Sequence, residues 1–523
     1  MKEYTKTFLK YRNELWKSNI NEIVEYCEND EICIYGAGLY GDFVKEKLQE
    51  KNIKIKKFIV TSLLENQPLL DNIPVVEVSK QELKDEKIII SMQSYFEVEK
   101  LLQKYGIYQY KILKVDMRIP VAEKYKDYLK YRQDAQTTFK DAMIRVRITN
   151  NCPGKCDFCG QLDWTEEEQH KEMNPKWYME YMKPIYPALK TVLITGGDAF
   201  FARYSYDYMK MLSNEYRHIT IFTESNGLAF TKRFQELACE NLFATHFSLN
   251  ASNKQTFVRG CWSSAGGDKA YEKCIENVYD YIQMLQQYNR IEFAPNISMV
   301  INSQTADDVV DFVKMALKMS TSYVMFFFDY QENDMSGEYF SNQYLMRNVL
   351  RQLLEIELLL KDKFYIQFRL WVPLKELDLA EASMSNISMS ELEEKYKDII
   401  KLARGRSIKK EHDKRNLLRK ENGKKELTFK EDYSLTLRTE NINNKKVCAS
   451  GWNMLDFYPN GRLDFCGWHV PTLLFPDYIK NDKVDWNEII NSEEFQVYRT
   501  NMLAGDYSGC MSCCPIIREL KSF

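Results

Sequence analysis

Short apolar runs alternate with amphipathic stretches along most of this chain, in two separate blocks. Residues 31–36 (Glu-Ile-Cys-Ile-Tyr-Gly) read as a buried strand. A glycine turn follows, Gly36-Ala37-Gly38-Leu39-Tyr40-Gly41, then a helix over 42–50 and strands over 53–62 and 87–91. Strand, glycine turn, helix and strand make a βαβ unit, so residues 20–115 read as one small parallel α/β domain. The alternation restarts at Ile144. Strand-like runs end near Asn151, Thr195, Thr223, Leu249, Met299 and Phe328, with amphipathic helices between them. One is Tyr271–Leu285, which repeats Cys274, Ile275, Val278, Ile282 and Leu285 at helical spacing; another is Ala306–Met319. Six βα repeats predict a parallel sheet curled into a partial barrel, two repeats short of a closed eight-fold one. Residues 376–447 are highly charged and helical in pattern, and from Cys448 the chain turns to short strands ending in a cysteine-rich tail. The expected domains are 1–118, 140–335, a charged helical insertion over 336–447, and 448–523.

Charge and composition narrow the partners. Of 523 residues, 45% are hydrophobic and 28% charged, and the net charge is −3. Those values are ordinary for a globular protein and give no global attraction to nucleic acid or anionic membrane. No apolar run reaches the roughly 20 residues that span a bilayer, and the N-terminus has no signal-peptide core. The expected location is the cytoplasm, where the 13 cysteines are thiols or metal ligands rather than disulfides. Between Arg404 and Lys425 there are ten Lys/Arg against three Asp/Glu. That run is either a solvated helical face or a dock for an acidic or phosphorylated partner.

The cysteines are clustered. Arg145-Val146-Arg147-Ile148-Thr149-Asn150-Asn151 reads as a strand end, and Cys152-Pro153-Gly154-Lys155-Cys156-Asp157-Phe158-Cys159 follows at once. A loop this tight brings three thiolates onto one metal centre. Three ligands on a four-iron cube leave one iron open, which marks a reactive site. A structural zinc needs a fourth ligand, for which His170 is the near candidate.

This Cys-x3-Cys-x2-Cys pattern, with Phe158 before the third cysteine, resembles the radical S-adenosylmethionine (SAM) superfamily. Other strand ends agree in order. Ile194-Thr195-Gly196-Gly197-Asp198 resembles the family's Gly-Gly-Glu motif, one methylene shorter. Thr223-Glu224-Ser225-Asn226-Gly227 is similar to its Thr-Asn-Gly with two residues added. Phe247-Ser248-Leu249-Asn250, Arg259-Gly260, and Ser298 with Asn302 follow. The resemblance implies a partial (β/α)6 TIM barrel with a [4Fe–4S] cluster on Cys152, Cys156 and Cys159. It implies SAM contacts at Gly196, Gly197, Asp198, Glu224, Asn226, Ser248, Asn250 and Ser298. It also implies reductive cleavage of SAM to a 5′-deoxyadenosyl radical that abstracts a substrate hydrogen, with a flavodoxin or ferredoxin as reductant.

Twelve residues separate Cys448 from Gly461, and Cys466 stands five beyond that glycine. The intervening Asp456–Phe465 reads as a hairpin turning at Asn460-Gly461. Cys510-Met511-Ser512-Cys513-Cys514 comes late. This pattern resembles the short, or twitch, form of the SPASM extension. It implies one auxiliary [4Fe–4S] cluster on Cys448, Cys466, Cys510 and Cys513, for electron transfer, with Cys514 as a stand-in for Cys513. The same four cysteines also suit a structural zinc.

The first domain resembles the Rossmann-like modules attached to enzymes of cell-surface sugar pathways. Its Gly-x-Gly-x-x-Gly can seat a pyrophosphate at a helix N-terminus, but the second strand ends Val60-Thr61-Ser62 without the acidic residue that recognises a ribose. A scaffold or docking role is the leading expectation, with a nucleotide at Gly36–Gly41 the alternative. Relatives with the C-terminal extension often modify peptides or proteins, and the basic insertion offers a place to hold one. A sugar or other small metabolite is the second substrate class, and a non-enzymatic electron carrier or scaffold a remote third. Cys261, expected in a flexible loop at the barrel mouth, is the candidate hydrogen-atom donor of an epimerase.

Overall fold

The computed structural model describes residues 20–27, 31–63, 68–78, 83, 86–91, 95–112, 135–159, 166–328, 343–361, 365–371, 374–384, 387–433, 439–442, 445–465, 473–503 and 520. The chain forms two compact units, one from residues 1–135 with 493–509, the other from 136–492 with 510–523.

The first unit contains α1 (Ile20–Cys27), β1 (Ile32–Tyr35), α2 (Leu39–Gln49), β2 (Ile55–Val60), β3 (Leu69–Leu70), β4 (Ile73–Glu77), β5 (Lys87–Ile90), α3 (Tyr95–Lys104) and β6 (Tyr110–Ile112). They make a six-stranded sheet in the order β3-β4-β2-β1-β5-β6. All pairs are parallel except the β3–β4 hairpin. Alternate residues bury on opposite faces. Ile32, Ile34, Phe58 and Val60 pack with Ile23, Val44 and Leu48, while Cys33, Tyr35, Ile59 and Ile90 pack with Val98 and Leu102. With both faces covered, β1 is buried and apolar along its length, as are the C-terminal parts of β2 and β5. Gly41 is a packing glycine: a Cβ there would stand 1.9 Å from the Gly36 carbonyl oxygen.

The second unit is built on a ten-stranded sheet. Its first six strands match the expected positions: β7 (Ala142–Thr149), β8 (Leu189–Gly196), β9 (Thr220–Ser225), β10 (Ala244–Ser248), β11 (Asn296–Ile301) and β12 (Tyr323–Phe328). They are joined through α4 (Ser205–Glu215), α5 (Lys232–Glu240), α6 (Lys254–Gly260), α7 (Gly267–Gln287) and α8 (Val309–Lys318). The sheet does not stop there. After α9 (Gln343–Lys361), β13 (Gln367–Trp371) pairs parallel with β12, so the segment expected as a charged helical insertion supplies a seventh strand. Beyond the small ribbon of β14 (Thr439–Ile442) and β15 (Lys445–Cys448), β16 (Met454–Phe457) pairs parallel with β7. β17 (Arg462–Asp464) and β18 (Leu473–Leu474) continue antiparallel. The expected hairpin therefore forms, and it is the far edge of the same sheet.

The charged segment holds α10 (Leu374–Ala382), α11 (Met389–Lys395), α12 (Lys397–Ala403), α13 (Ile408–Glu421) and α14 (Phe429–Tyr433). Its basic run is divided: Arg404, Lys409, Lys410 and Lys420 are exposed, as a solvated face requires, while the others turn inward. Arg415 Nε and Arg419 each donate to the Asp432 carboxylate at 2.7 Å, and His412 Nδ1 lies 2.9 Å from it. Arg406 donates to the Ser320 and Thr321 carbonyls, Arg415 to Glu292, and Lys424 to Ile219, while Lys425 pairs with Asp141. Every one of those partners lies just before a strand begins. Leu427 packs on Met143, Leu193, Phe222 and Met454, and Ile408 packs on Tyr323 and Met325. Thus α13 and its flanks close the N-terminal end of the sheet, opposite the end that carries the cysteine loop, and the inward-turned basic residues are spent there.

Burial alone would raise the carboxyl of Asp432, but Arg415 and Arg419 outweigh it and hold the group well below the usual carboxylate range. Replacing Asp432 with Asn removes the carboxylate that the buried Arg415 and Arg419 share, an expected loss of about 3–5 kcal/mol. Because the folded-state pKa is depressed, this stabilisation is complete above the unfolded value near ~4 and fades as pH falls below it. Thermal melts from pH 3 to 7 should show a lowered midpoint in Asp432→Asn and a weaker acid dependence. An unchanged midpoint at pH 7 would refute the anchoring role.

Candidate functional site

The cysteine loop begins where β7 ends. Two backbone bonds clip its start to the end of β8: Gly197 N to Thr149 O at 2.7 Å and Asp198 N to Asn151 O at 2.9 Å. The approach requires glycine. A Cβ on Gly196, whose φ is +139°, would lie 2.0 Å from the Thr149 oxygen, and one on Gly197 would lie 2.3 Å from the Asn150 and Asn151 oxygens. Further along, Asp157 N donates to the Cys261 carbonyl at 2.8 Å, Asp157 Oδ2 accepts from Ser263 N, and Phe158 packs against Phe257, Cys261 and Trp262.

Cys152, Cys156 and Cys159 are half-buried and form no disulfide. Gly154 N and Asn226 Nδ2 point at Cys152 Sγ, at 3.3 and 3.1 Å. Burial first, then the nearby Asp198, pushes the Cys152 thiol up to about 12, and these two donors oppose the shift. N–H groups directed at a sulfur are suited to a thiolate ligand, and the loop fits an iron–sulfur cluster on that ground. Among the described residues, no three His, Cys, Asp or Glu side chains gather around a single-ion site. His170 is not brought to the thiols; its Nδ1 bonds Asn151 Oδ1 at 2.7 Å.

Asp198 differs from expectation. It is fully buried, and its carboxylate accepts from Phe200 N (3.0 Å), Ser225 Oγ (2.7 Å) and Asn226 N (3.0 Å). These bonds tie it to its own turn and to the end of β9. Asp198 fixes Asn226, and Asn226 in turn reaches Cys152. The shorter side chain explains the change: Asp at this position stays inside the turn. Asn250, with φ +63°, is likewise occupied: its amide bridges Ser248 O and Val300 N across β10 and β11. Asn302 caps its own turn and donates to Gly260 O at 2.6 Å. Ser248 is exposed and accepts at 3.2 Å from Ser298, which is buried behind it, so Ser248 is the member of the pair that is open to a ligand.

Cys261 is corrected too. It is buried at the C-terminal end of α6 among Ala251, Phe257, Trp262 and Ala270, and its thiol donates to the Asn250 carbonyl at 3.6 Å. The segment is packed because Phe257 and Trp262 anchor it, not a flexible loop. Cys239 on α5 and Cys274 on α7 are both buried.

Glu224 lies one layer below Asn226, on the sheet face opposite the crossover helices. It belongs to a charged layer that the motif comparison missed. Arg145 and Arg147 donate to Asp456 Oδ2 at 2.9 and 3.3 Å. Arg147 and Arg462 stack on the Tyr458 ring at 4.6 and 4.4 Å, and Arg462 pairs with Asp464 at 2.6 Å. Glu224 faces His246 in register across β9 and β10. Burial would raise the Glu224 carboxyl, but Arg145, His246 and Arg147 bring it below its ordinary value. The signal was present: two arginines at alternate positions of an otherwise apolar buried strand, one turn before the cysteines.

Of the second cysteine set, Cys448 is buried at the end of β15, 3.0 Å from Ser450 Oγ. Cys466, Cys510, Cys513 and Cys514 lie outside the described residues. In the first unit, Gly38 opens α2 with free space around it, and Leu63 N donates to Glu77 at 3.2 Å. No described helix is long and apolar enough to cross a membrane.

Residues 146–316 match the family model described as the Radical SAM superfamily. The chain is accordingly an enzyme of the radical SAM type. Among solved structures, SuiB of Streptococcus suis bound to S-adenosylmethionine is 10% identical with a TM-score of 0.43, over 77% of this chain and 78% of that one. SuiB bound to its precursor peptide SuiA gives 11%, 0.40, 79% and 78%. Native anSMEcpe with bound AdoMet gives 15%, 0.36, 43% and 64%. Comparison with curated proteins finds no match.

Asp198→Ala would strand the buried Ser225 hydroxyl and Asn226 N–H, at about 1–3 kcal/mol each. The expected outcome is a lower melting temperature together with reduced iron per chain after reconstitution, because Asn226 loses its anchor. Normal melting and iron content with weakened SAM affinity would instead make Asp198 a direct SAM ligand.

Proposed function

We propose that the chain holds a [4Fe–4S] cluster on Cys152, Cys156 and Cys159, binds SAM beside it, and abstracts a hydrogen atom from a substrate at the same end of the sheet. The observation that carries this is the loop after β7. Its three cysteines have the family spacing inside the matched region, and Asn226 and Gly154 aim N–H groups at Cys152. When bound, the reduced cluster supplies the electron that splits SAM into methionine and the 5′-deoxyadenosyl radical. The chain's part is positioning. Gly196 and Gly197 let β8 close onto the loop, Asp198 and Asn226 brace it, and Ser248, with Ser298 behind it, offers a hydroxyl to SAM.

An auxiliary [4Fe–4S] cluster on Cys448, Cys466, Cys510 and Cys513, used for electron transfer, completes the proposal. Its support is the buried Cys448 and the β16–β17 hairpin that runs directly into Cys466. For substrate we take a peptide or protein first, from the resemblance to enzymes with this extension; the basic run no longer supports it, since α13 lies at the other end of the sheet. A sugar or other small metabolite is the second class, favoured by the parallel sheet and glycine turn of the first unit, which we take as a Rossmann-like scaffold. A flavodoxin or ferredoxin is the proposed reductant.

Anaerobically reconstituted protein is expected to hold about eight irons, two cubes of four, and with dithionite to release 5′-deoxyadenosine and methionine. Alanine at Cys152, Cys156 and Cys159 together should leave about four irons and end the release. S-adenosylhomocysteine in place of deoxyadenosine would overturn the radical chemistry. About four irons in the intact protein, with zinc beside them, would overturn the auxiliary cluster.

A further inference from the structure

Unpartnered buried polar atoms are rare in folded proteins and call for an explanation where they gather. Here they gather on the inner face of the large sheet. His246 is 3% exposed, and neither ring nitrogen has a hydrogen-bond partner. Arg145 Nε, Arg147 Nε and Asp456 Oδ1 are buried without partners in the same charged layer. Donors and acceptors are thus both left open, on β7, β10 and β16, three strands that carry groups toward one interior.

We propose that this layer is the substrate-recognition site, and that His246, Arg147, Glu224 and Asp456 bind an uncharged hydroxyl- or amide-bearing part of the substrate. The proposal deepens the radical SAM reading and rests on it. Three features set the ligand class. First, the coupled charges balance: Arg145, Arg147 and Arg462 stand against Glu224, Asp456 and Asp464. An ion entering this layer would leave an uncompensated buried charge, which is costly. Secondly, burial lowers His246 to about 4, so the imidazole is neutral and offers one donor and one acceptor. Hydroxyls and amides need both, whereas a carboxylate or phosphate needs donors alone. Thirdly, the layer lies directly below Asn226, Ser248 and Ser298, in register along β9, β10 and β11, so a group held there has its remaining atoms toward the cysteine loop.

Hydroxyls and amides come from peptides and from saccharides, and the test separates the two. Full-length holoenzyme is examined by saturation-transfer difference NMR against N-acetylserine methylamide and against N-acetylglucosamine. N-acetylaspartate methylamide, glucuronate and glucosamine serve as charged counterparts. At least one neutral probe should bind and outcompete its charged counterparts, and the pair that responds names the source. His246→Leu should weaken that probe about tenfold or more, the loss expected when a buried hydrogen-bonding partner is removed, and Glu224→Gln should weaken it less. Should His246→Leu fail to fold, as judged by circular dichroism, His246→Asn takes its place. Equal binding of charged and neutral probes, or neutral binding indifferent to residue 246, overturns the proposal, as does a lack of binding by every probe. Deoxyadenosine release by the wild type without any probe is measured separately, so failure of the SAM chemistry is distinguishable from failure of the site.

Discussion

Backbone contact between two strand ends is the constraint on which the centre depends. Thr149, Asn150 and Asn151 present carbonyl oxygens where Gly196 and Gly197 pass within a distance that no side chain tolerates. Two hydrogen bonds follow, and they fix the point from which the cysteine loop departs. Everything above is built from that clip. Asp198 emerges on the far side of it already pointed at β9, and three hydrogen bonds turn that position into a brace for Asn226. The loop is thereby held from β8 and β9 at its start, and from the α6–α7 connection at Asp157 and Phe158. A reactive metal position needs such support, because ligand orientation is set by the shell around the ligands.

The two ends of the sheet have been given opposite tasks. At the C-terminal end, side chains leave polar atoms open or half-exposed. At the N-terminal end, the chain spends buried charge to shut the sheet, with Asp432 balancing Arg415 and Arg419. A buried ion pair stabilises little relative to an apolar plug of the same shape. What it supplies here is direction: guanidinium and ammonium groups on α13 and its two flanks reach carbonyls ahead of β9, β11 and β12, so one continuous segment fixes the starting points of three strands.

Much of this was legible in the sequence, for identifiable reasons. Parallel strands buried on both faces announce themselves as apolar runs, and all six that were expected between Ile144 and Phe328 formed. The cysteine loop was legible because its spacing is local. β13 was not, because Gln367-Phe-Arg-Leu-Trp alternates like a half-exposed edge strand within a charged segment. The fate of the basic run was hidden because charge density does not distinguish a solvated face from a network closed by one distant acid. Asp198 and Asn250 occupy motif positions, yet their oxygens accept from Phe200 N, Asn226 N, the Ser225 hydroxyl and Val300 N; a motif reports where a residue stands and not which bonds its side chain makes. Cys261 misled for a related reason: small residues around it suggested a loose loop, while Phe257 and Trp262 pack it.

The charged inner layer also bears on how the C-terminal segment is joined to the rest. β16 pairs with β7 along four residues, and Asp456 receives both arginines of β7. Removing either arginine would leave Asp456 a buried anion with less compensation, so the pairing and the charge balance stabilise each other. The strand that ends in Cys152 and the hairpin that leads to Cys466 are therefore neighbours in one rigid sheet rather than modules on a tether. The charged layer thus ties the first cysteine loop to the β16–β17 hairpin, because Asp456 is held by the same strand that ends in that loop.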